Sequence, residues 1–277
     1  MSSVQRLAAR CQAALASARN AWQHQGAAAE LGQRSYSTVV SGQSYASMGE
    51  LVAKLQERQL IKSAAVAGAM VRVDRAQFAN TYTGVPKGVA YMDGQVPIGQ
   101  GQNISAPSLH ALALELLLGH LQQPGARALD VGTGSGYLAA CFGLLVGEGG
   151  SVVAVDKHKR MMEAAYRNIM TALPELLDPT RRGNVEIVTG NVLQAGFLTQ
   201  YPPFTAIHVG AAVEEVPRAL LDALAPGGRM VVPVGPVTGT LQALMVYDKS
   251  AGGEVVARQE AEVKLPPLTP PAADKVW

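Results

Sequence analysis

The run Leu129, Asp130, Val131, Gly132, Thr133, Gly134, Ser135, Gly136, Tyr137 constrains this chain more than any other. It leaves an apolar strand, turns, and opens a helix. Glycine has no Cβ, so three of them at a spacing of two let the backbone turn sharply and pass close to a ligand. Such a turn needs a sheet to leave from, and the flanking sequence supplies one. Strands are predicted at Arg127 to Val131, Ser151 to Asp156, Val185 to Thr189, Thr205 to Val209 and Arg229 to Val234. Helices are predicted at Pro107 to Leu121, after Gly136, from about Lys157 to Leu173, and at Val216 to Leu224, where Pro226, Gly227 and Gly228 stop it. Alternating strands and helices imply a mainly parallel sheet covered on both faces, because parallel neighbours need crossover connections. Leu241 to Tyr247 and Glu254 to Val263, joined through Gly252 and Gly253, read as an antiparallel hairpin that completes a seven-stranded sheet. Upstream, Leu51, Leu55, Leu60, Val66, Met70 and Val73 predict two short helices between Met48 and about Phe78, a helical preface before the Gly-rich stretch from Gly84 to Gly101.

Composition narrows the classes. The 277 residues are 48% hydrophobic and 16% charged, which describes a folded chain and excludes disorder as its main state. A formal net charge of +2 is too balanced for a dedicated phosphate-backbone binder, so no nucleic-acid partner is expected. Two cysteines, Cys11 and Cys141, cannot build a disulfide framework or a structural zinc site, and no metal is expected. No apolar run approaches the ~18 residues of a membrane span. The N-terminal segment differs from the rest: Arg6, Arg10, Arg19 and Arg34 stand against a single acid, Glu30. Val4, Leu7, Cys11, Leu15, Ala18 and Trp22 recur at helical spacing in an Ala-rich context that gives way to Ser-rich sequence. This is transit-peptide composition, with Arg34, Ser35, Tyr36, Ser37, Thr38 resembling a mitochondrial processing site. Residues 1–45 are therefore read as a leader with a mitochondrial address, a chloroplast or cytoplasmic location being the alternatives, and residues 46–277 as the main domain.

The Gly-rich turn is a nucleotide site once its partners are counted. Twenty residues past Gly136, Asp156 ends the next strand, where a carboxylate can accept both hydroxyls of a ribose. A dinucleotide fingerprint wants a third glycine at position 137, where this chain has Tyr137. Asp130, at the mouth of the same turn, repels a pyrophosphate and suits a cofactor with a cationic centre and an amino group, such as S-adenosylmethionine. A purely structural tight turn is the competing reading.

The sequence from about residue 49 onward resembles the protein L-isoaspartate (D-aspartate) O-methyltransferase family. The resemblance is carried by Ile98, Gly99, Gln100, Gly101, Gln102, Asn103, Ile104, Ser105, Ala106, Pro107, Ser108, Leu109, His110, which contains the family's Ile-Ser-Ala-Pro followed by His. Further matches are Ala206, Ile207, His208, Val209, Gly210, Ala211, Ala212, then Pro226, Gly227, Gly228, Arg229, and Pro233, Val234, Gly235, Pro236. It implies a Rossmann-like class I S-adenosylmethionine-dependent methyltransferase that transfers a methyl group to the free α-carboxyl of L-isoaspartyl residues in damaged proteins and peptides, leaving S-adenosyl-L-homocysteine. The methyl ester then cyclises to a succinimide, and repair begins. Ser105 corresponds to the family's active-site serine and would hold the substrate carboxylate in line. A local reading of the same residue makes it the cap of the helix that starts at Pro107. Gln102, Asn103, Ile104 and His110 fall where the family lines the cofactor pocket, alongside Asp130, Gly132, Gly134, Ser135 and Asp156 of the strand–turn–helix unit.

Four departures stand out. Gly190 and Asn191 end the third strand, where the family shows Gly then Asp near the adenine ring; an amide can still accept through its oxygen. Ser108 stands where a first His is common, and Thr205 where Asp often precedes Ala-Ile-His. Pro267, Leu268, Thr269 matches a C-terminal Pro-Leu-Thr whose threonine approaches the cofactor, but the following Gln-Trp has become Val276, Trp277. Cys141 is read as core. The alternatives to this assignment are a small-molecule methyltransferase with the same nucleotide half, against which the segment from Gly99 to His110 argues, and a binding protein that has lost turnover. A monomer is expected.

Overall fold

In the computed structural model the described residues are 43–79, 85–147, 149–237 and 241–269, together with a two-residue strand, β1 (Ser35–Tyr36). The leader's amphipathic stretch lies outside them. β1 itself falls within the segment read as leader and pairs in parallel with the last strand of the sheet. Tertiary contacts of the main body begin by Ser44, whose Oγ donates to the Gly88 carbonyl at 2.5 Å, and Tyr45 is already buried.

The preface has one helix more than predicted. α1 (Met48–Glu57) starts at a reciprocal cap: Ser47 Oγ accepts from the Glu50 N–H, and Glu50 reaches back to the Ala46 N–H. It buries Leu51, Val52 and Leu55, and α2 (Ala64–Arg72) buries Val66, Ala69 and Met70. α3 (Arg75–Ala79) is five residues long, too short for a periodicity to announce it. The glycine-rich stretch is also structured. After α4 (Lys87–Ala90) it forms a hairpin of β2 (Val96–Gly99) and β3 (Gln102–Ile104). Its turn places Gly99, Gln100 and Gly101 at φ 94°, 54° and 70°, a left-handed run that two glycines permit. Strands of four and three residues, one holding Pro97, carry too little alternation to be seen in sequence.

Beyond the hairpin the prediction holds closely: α5 (Pro107–Leu121), β4 (Arg127–Val131), α6 (Tyr137–Leu145), β5 (Ser151–Asp156), α7 (Lys159–Ala172), β6 (Val185–Thr189) and β7 (Phe204–Val209). The next two elements deviate. α8 (Arg218–Ala223) is shorter than predicted, because Leu224 is already extended at φ −75°, ψ 126°. β8 (Leu224–Val234) consequently begins before the Pro-Gly-Gly, pairing Leu224 with Phe204 and then slipping register to pair Arg229 with Ala206. β9 (Gln242–Lys249) and β10 (Val255–Val263) form the expected antiparallel hairpin.

The sheet order is β10-β9-β8-β7-β4-β5-β6, with β1 added beside β10. All pairings from β8 through β6 are parallel. Side chains alternate across a strand, so each central strand feeds two cores. Ala128, Val152, Ala154, Ala206 and Val231 face the core shared with α5, α6, α7 and the preface. Leu129, Val153, Val155, Ile207, Met230 and Val232 face the other, closed by Val192, Leu198, Phe204 and Leu220. β4 has β5 on one side and β7 on the other, so strand order reverses there. The loops leaving β4 and β7 diverge, which opens a crevice at their carboxyl ends.

Candidate active site

The floor of that crevice is the turn after β4. The Gly132 and Thr133 N–H groups both donate to the Val155 carbonyl, at 2.8 and 3.2 Å, which staples the turn to β5. Asn168 of α7 donates to the Ser135 carbonyl at 2.9 Å and holds it from behind. Two glycines are sterically required. Gly134 has φ +54°, and a Cβ there would press on Ile98 Cδ1 at 3.3 Å; Gly136 has φ +85°, with Ala165 Cβ only 3.0 Å from where its own would stand. Close helix packing and a close approach to the cleft thus fall on different glycines of one turn.

Asp156 ends β5 with 9% of its surface exposed. One carboxylate oxygen accepts from the His158 N–H at 3.0 Å and the other from the Gly134 N–H at 3.3 Å. A carboxylate has about four acceptor positions, so two remain for hydroxyl groups of a ligand. The first of these bonds also explains why α7 begins at Lys159 and not at Lys157: His158 is held extended as its N-cap. Asp130 is more enclosed, with 1% exposure. Its oxygens accept from Thr133 Oγ1 at 2.6 Å and pair with His208 Nδ1 at 2.8 Å. The side chain therefore braces the turn and orients an imidazole on β7, whose second ring nitrogen is left for the cleft.

The opposite wall is the β2–β3 hairpin and the start of α5. Together they close a cleft of about 600 Å³, counted to its solvent-open mouth. Of the predicted site residues, Gln102, Asn103, Ile104, Ser105, His110, Asp130, Gly132, Gly134 and Ser135 line it. The capping reading of Ser105 is corrected by the structure. The residue preceding α5 is Ala106, which supplies no side-chain cap, and the Ser108 N–H is satisfied at 2.9 Å by Asp93, from a loop distant in sequence. The Ser105 hydroxyl takes no hydrogen-bond partner among the described residues. The Ser105 carbonyl accepts from the fully buried Arg75 at 2.8 Å.

His110 is 6% exposed and stacks on Tyr137, ring centroids 4.8 Å apart and planes 26° from parallel. Burial, reinforced by the positive charge of Arg75 and by His208, holds its imidazole well below the usual range, so it is neutral at physiological pH. Position 137, where a dinucleotide turn wants glycine, instead carries the ring that packs this histidine.

The remaining predicted residues gather at the ends of β5 and β6. The Gly190 N–H donates to the Asp156 carbonyl at 3.0 Å, and the Phe197 ring lies where a Cβ at 190 would stand. Asn191 uses both ends of its amide: Oδ1 accepts from the Leu193 N–H at 2.9 Å, and Nδ2 donates to the Thr269 carbonyl at 3.1 Å. Lys157 Nζ donates to Thr269 Oγ1. The segment before Thr269 is strapped on by Gln95, which donates to the Lys264 carbonyl, by Gln242, whose side-chain oxygen accepts from the Leu265 N–H, and by two backbone hydrogen bonds, from the Ala212 N–H to the Pro266 carbonyl and from the Leu268 N–H to the Ala212 carbonyl. Sequence reasoning did not single out Gln95, Thr133, Lys157 or Arg75 for the site, and it quoted His208 only as part of a motif. The one signal for His208 was a polar side chain within an otherwise apolar central strand.

The donor set fits an adenosine-bearing ligand: the cleft has a glycine floor and apolar flanks from Ile98 and Leu138, and Asp156, which like Gly190, Asn191 and Thr269 is not among the residues lining the cleft, adjoins that floor through the Gly134 N–H with acceptor capacity to spare. Among the described residues no group of three or more His, Cys, Asp or Glu is placed to hold a metal ion, and no helix is long and apolar enough to cross a membrane.

Comparison with known proteins agrees with this geometry. Residues 46–272 match the family model described as protein-L-isoaspartate(D-aspartate) O-methyltransferase (PCMT). The chain is 40% identical over 221 residues to protein-L-isoaspartate O-methyltransferase 1 of Arabidopsis thaliana, covering 79% of this chain and 90% of the relative. It is 41% identical over 220 residues to the Caenorhabditis elegans protein-L-isoaspartate O-methyltransferase, covering 79% and 91%. The structure superposes with a TM-score of 0.71 and 31% identity on that of a Plasmodium falciparum protein-L-isoaspartate O-methyltransferase in complex with S-adenosyl-L-homocysteine, covering 81% of this chain and 99% of that one. A match that spans the preface, the hairpin and the whole sheet leaves one conclusion: the chain belongs to the protein-L-isoaspartate (D-aspartate) O-methyltransferase family.

Proposed function

We propose that this cleft esterifies the free α-carboxyl of L-isoaspartyl residues in proteins and peptides, with Ser105 as the residue that orients the accepting carboxylate. The chain is a protein carboxyl O-methyltransferase that uses S-adenosylmethionine. That cofactor, when bound, supplies a methyl group activated by a sulfonium. Asp156 holds a ribose through its spare acceptor positions, and the Gly132 to Gly136 turn admits the ligand against bare backbone. Asn191 and Thr269 shape the adenine end, with Asn191 acting through the strap it ties down.

The acceptor needs no general base, because a carboxylate at neutral pH is already an anionic nucleophile. What the protein must do is align and desolvate it. Ser105 contributes a hydroxyl with no competing partner among the described residues, able to donate to one carboxylate oxygen and leave the other for attack. His110, held neutral, adds no cation that would pair with the nucleophile and mask it. Asp130 is buried with one oxygen bonded to Thr133 and the other to His208, so it braces the turn beneath the site. The observation that carries this reading is the placement of an unengaged Ser105 hydroxyl in the same cleft as the glycine turn.

The test compares methyl transfer to an isoaspartyl peptide with its aspartyl twin, in wild type and Ser105→Ala. Only the isoaspartyl peptide is expected to be esterified, and the variant is expected to lose roughly 30-fold in kcat, the order expected for a displaced reacting group, while cofactor affinity stays within about twofold. Equal rates on both peptides, or an unchanged kcat in the variant, would sink it. We also infer a mitochondrial address for residues 1–45, supported by their arginines and near-absence of acids, and a monomeric enzyme without nucleic-acid partners, in keeping with its balanced charge. N-terminal sequencing of the mature protein from fractionated cells tests the first; a start at residue 1 in the cytosol would contradict it.

A further inference from the structure

Among the described residues Arg75 is the one fully buried basic side chain. Its side chain is fully buried, yet no carboxylate lies within ion-pair distance of it among the described residues. Burying a guanidinium without a counter-ion is costly, and a well-packed apolar residue is often as stable or more so. The nearby acid, Asp93, is committed elsewhere, to the Ser108 N–H at 2.9 Å and to Arg58 at 3.1 Å. Arg75 Nε is buried without a partner among the described residues, and the two terminal nitrogens donate to carbonyl oxygens: Nη1 to Ala90 at 2.6 Å, and Nη2 to Gly94 at 3.0 Å and to Ser105 at 2.8 Å, with Ile104 at 3.5 Å.

The last three oxygens share a location. Gly94 precedes β2 and Ser105 follows β3, so a single nitrogen bridges the two chains where the hairpin opens. The hairpin needs such a clamp. It is short, contains Pro97, and changes register between Pro97 and Gly99; an isolated two-stranded hairpin is at best marginally stable. Its residues Ile98, Gln102, Asn103 and Ile104 form the wall of the cleft, and Ser105 is the next residue along. Fixing the Ser105 carbonyl fixes the peptide plane that follows it, and with it the direction from which the serine side chain enters the cleft. Arg75 does not line the cleft itself.

We propose that Arg75 is a positioning residue for methyl transfer: by clamping the Gly94 and Ser105 carbonyls across the open end of the β2–β3 hairpin, it sets the orientation of the Ser105 hydroxyl. The proposal rests on the role given to Ser105 above. A lysine at 75 keeps the charge but lacks the planar fork that reaches several carbonyls at once.

The experiment is a double-mutant cycle on the full chain: wild type, Arg75→Lys, Ser105→Ala and the double variant, each assayed for kcat and KM with an isoaspartyl peptide and for S-adenosyl-L-homocysteine affinity by calorimetry. Arg75→Lys is expected to lower kcat about tenfold with cofactor affinity within about twofold, since a sub-ångström misplacement acts on alignment and not on the glycine floor. In the Ser105→Ala background the same change is expected to cost less than about twofold, because residues acting through one another are non-additive. A tenfold loss in both backgrounds would overturn the proposal and make Arg75 scaffold, as would no loss in wild type. An Arg75→Lys chain that does not fold, checked with Arg75→Gln, would also place Arg75 in the scaffold and overturn it. Failure of the Ser105 reading shows separately, as an unchanged kcat in Ser105→Ala alone.

Discussion

The two walls of the cleft are made by different means. The cofactor wall is backbone: a turn shaped by glycines, stapled to the neighbouring strand through the Val155 carbonyl, with Asp156 delivered by the end of β5. Its chemistry sits on consecutive elements of a parallel sheet, where strand ends place it automatically. The substrate wall is a short hairpin held in shape by two ionisable side chains, Arg75 and Asp93, which grip main-chain atoms at Ser105 and Ser108. Remove one side chain from the first wall and the backbone staple to the Val155 carbonyl remains; remove one from the second and the backbone beneath Ser105 or Ser108 loses its support. Binding and stability should therefore separate on the cofactor side and travel together on the substrate side.

The largest separation is expected at Asp156. Asp156→Ala removes the acceptor proposed for the ribose hydroxyls, and hydrogen bonds to a charged group are worth roughly 1.5–3 kcal/mol each, so S-adenosyl-L-homocysteine affinity should fall by at least about 100-fold. Stability should fall by only about 1 kcal/mol, because the Gly134 and His158 N–H groups it leaves lie near the cleft surface and can take water. Calorimetric titration beside urea unfolding measures both. A loss of stability as large as the loss of binding energy would erase the distinction between the walls.

The same distinction decides what the sequence discloses. Alternating apolar runs and a glycine turn are local facts, so β4, β5 and β6 are predicted to the residue, and so is α5. Asp156 is found because its place is set by counting from the turn. The substrate wall escapes this logic. No local pattern says that Asp93 caps a helix beginning at Pro107, so Ser105, the nearer hydroxyl, is the natural but mistaken choice of cap. Nor does any pattern say that Arg75 is internal; an arginine at the head of a five-residue helix reads as solvated surface. The β2–β3 hairpin hides for a related reason, its glycines and proline reading as loop. Asn191 is intermediate. Its place at a strand end is predictable, whereas its amide is spent on Leu193 and on Thr269, a residue that follows 78 positions later. The family resemblance singled out Ser105 where physics alone offered a cap as readily as a site residue, and the structure removes the capping alternative, since the Ser108 N–H goes to Asp93.

A smaller effect, but the sharper test of the substrate side, is expected at Asp93. Its two oxygens have unequal worth. The ion pair with Arg58 joins a buried carboxylate to a side chain that is 55% exposed, and Arg58→Met, which leaves the Ser108 bond in place, should cost less than about 1 kcal/mol. The bond from Ser108 satisfies an N–H at a buried helix start, so Asp93→Ala should cost about 2 kcal/mol, the sum of a lost cap and an unsatisfied donor. Asp93→Asn keeps an acceptor for Ser108 and should recover about half of that. Because α5 follows directly on Ser105, kcat should fall together with stability across this series, while S-adenosyl-L-homocysteine affinity remains within about twofold, no bond to the glycine turn having been touched. Thermal unfolding, single-turnover methylation and calorimetry on the same three variants provide the comparison. Should Asp93→Ala instead weaken cofactor binding as strongly as Asp156→Ala does, the two walls would be one cooperative unit, and the hairpin would have to be counted as part of the nucleotide site.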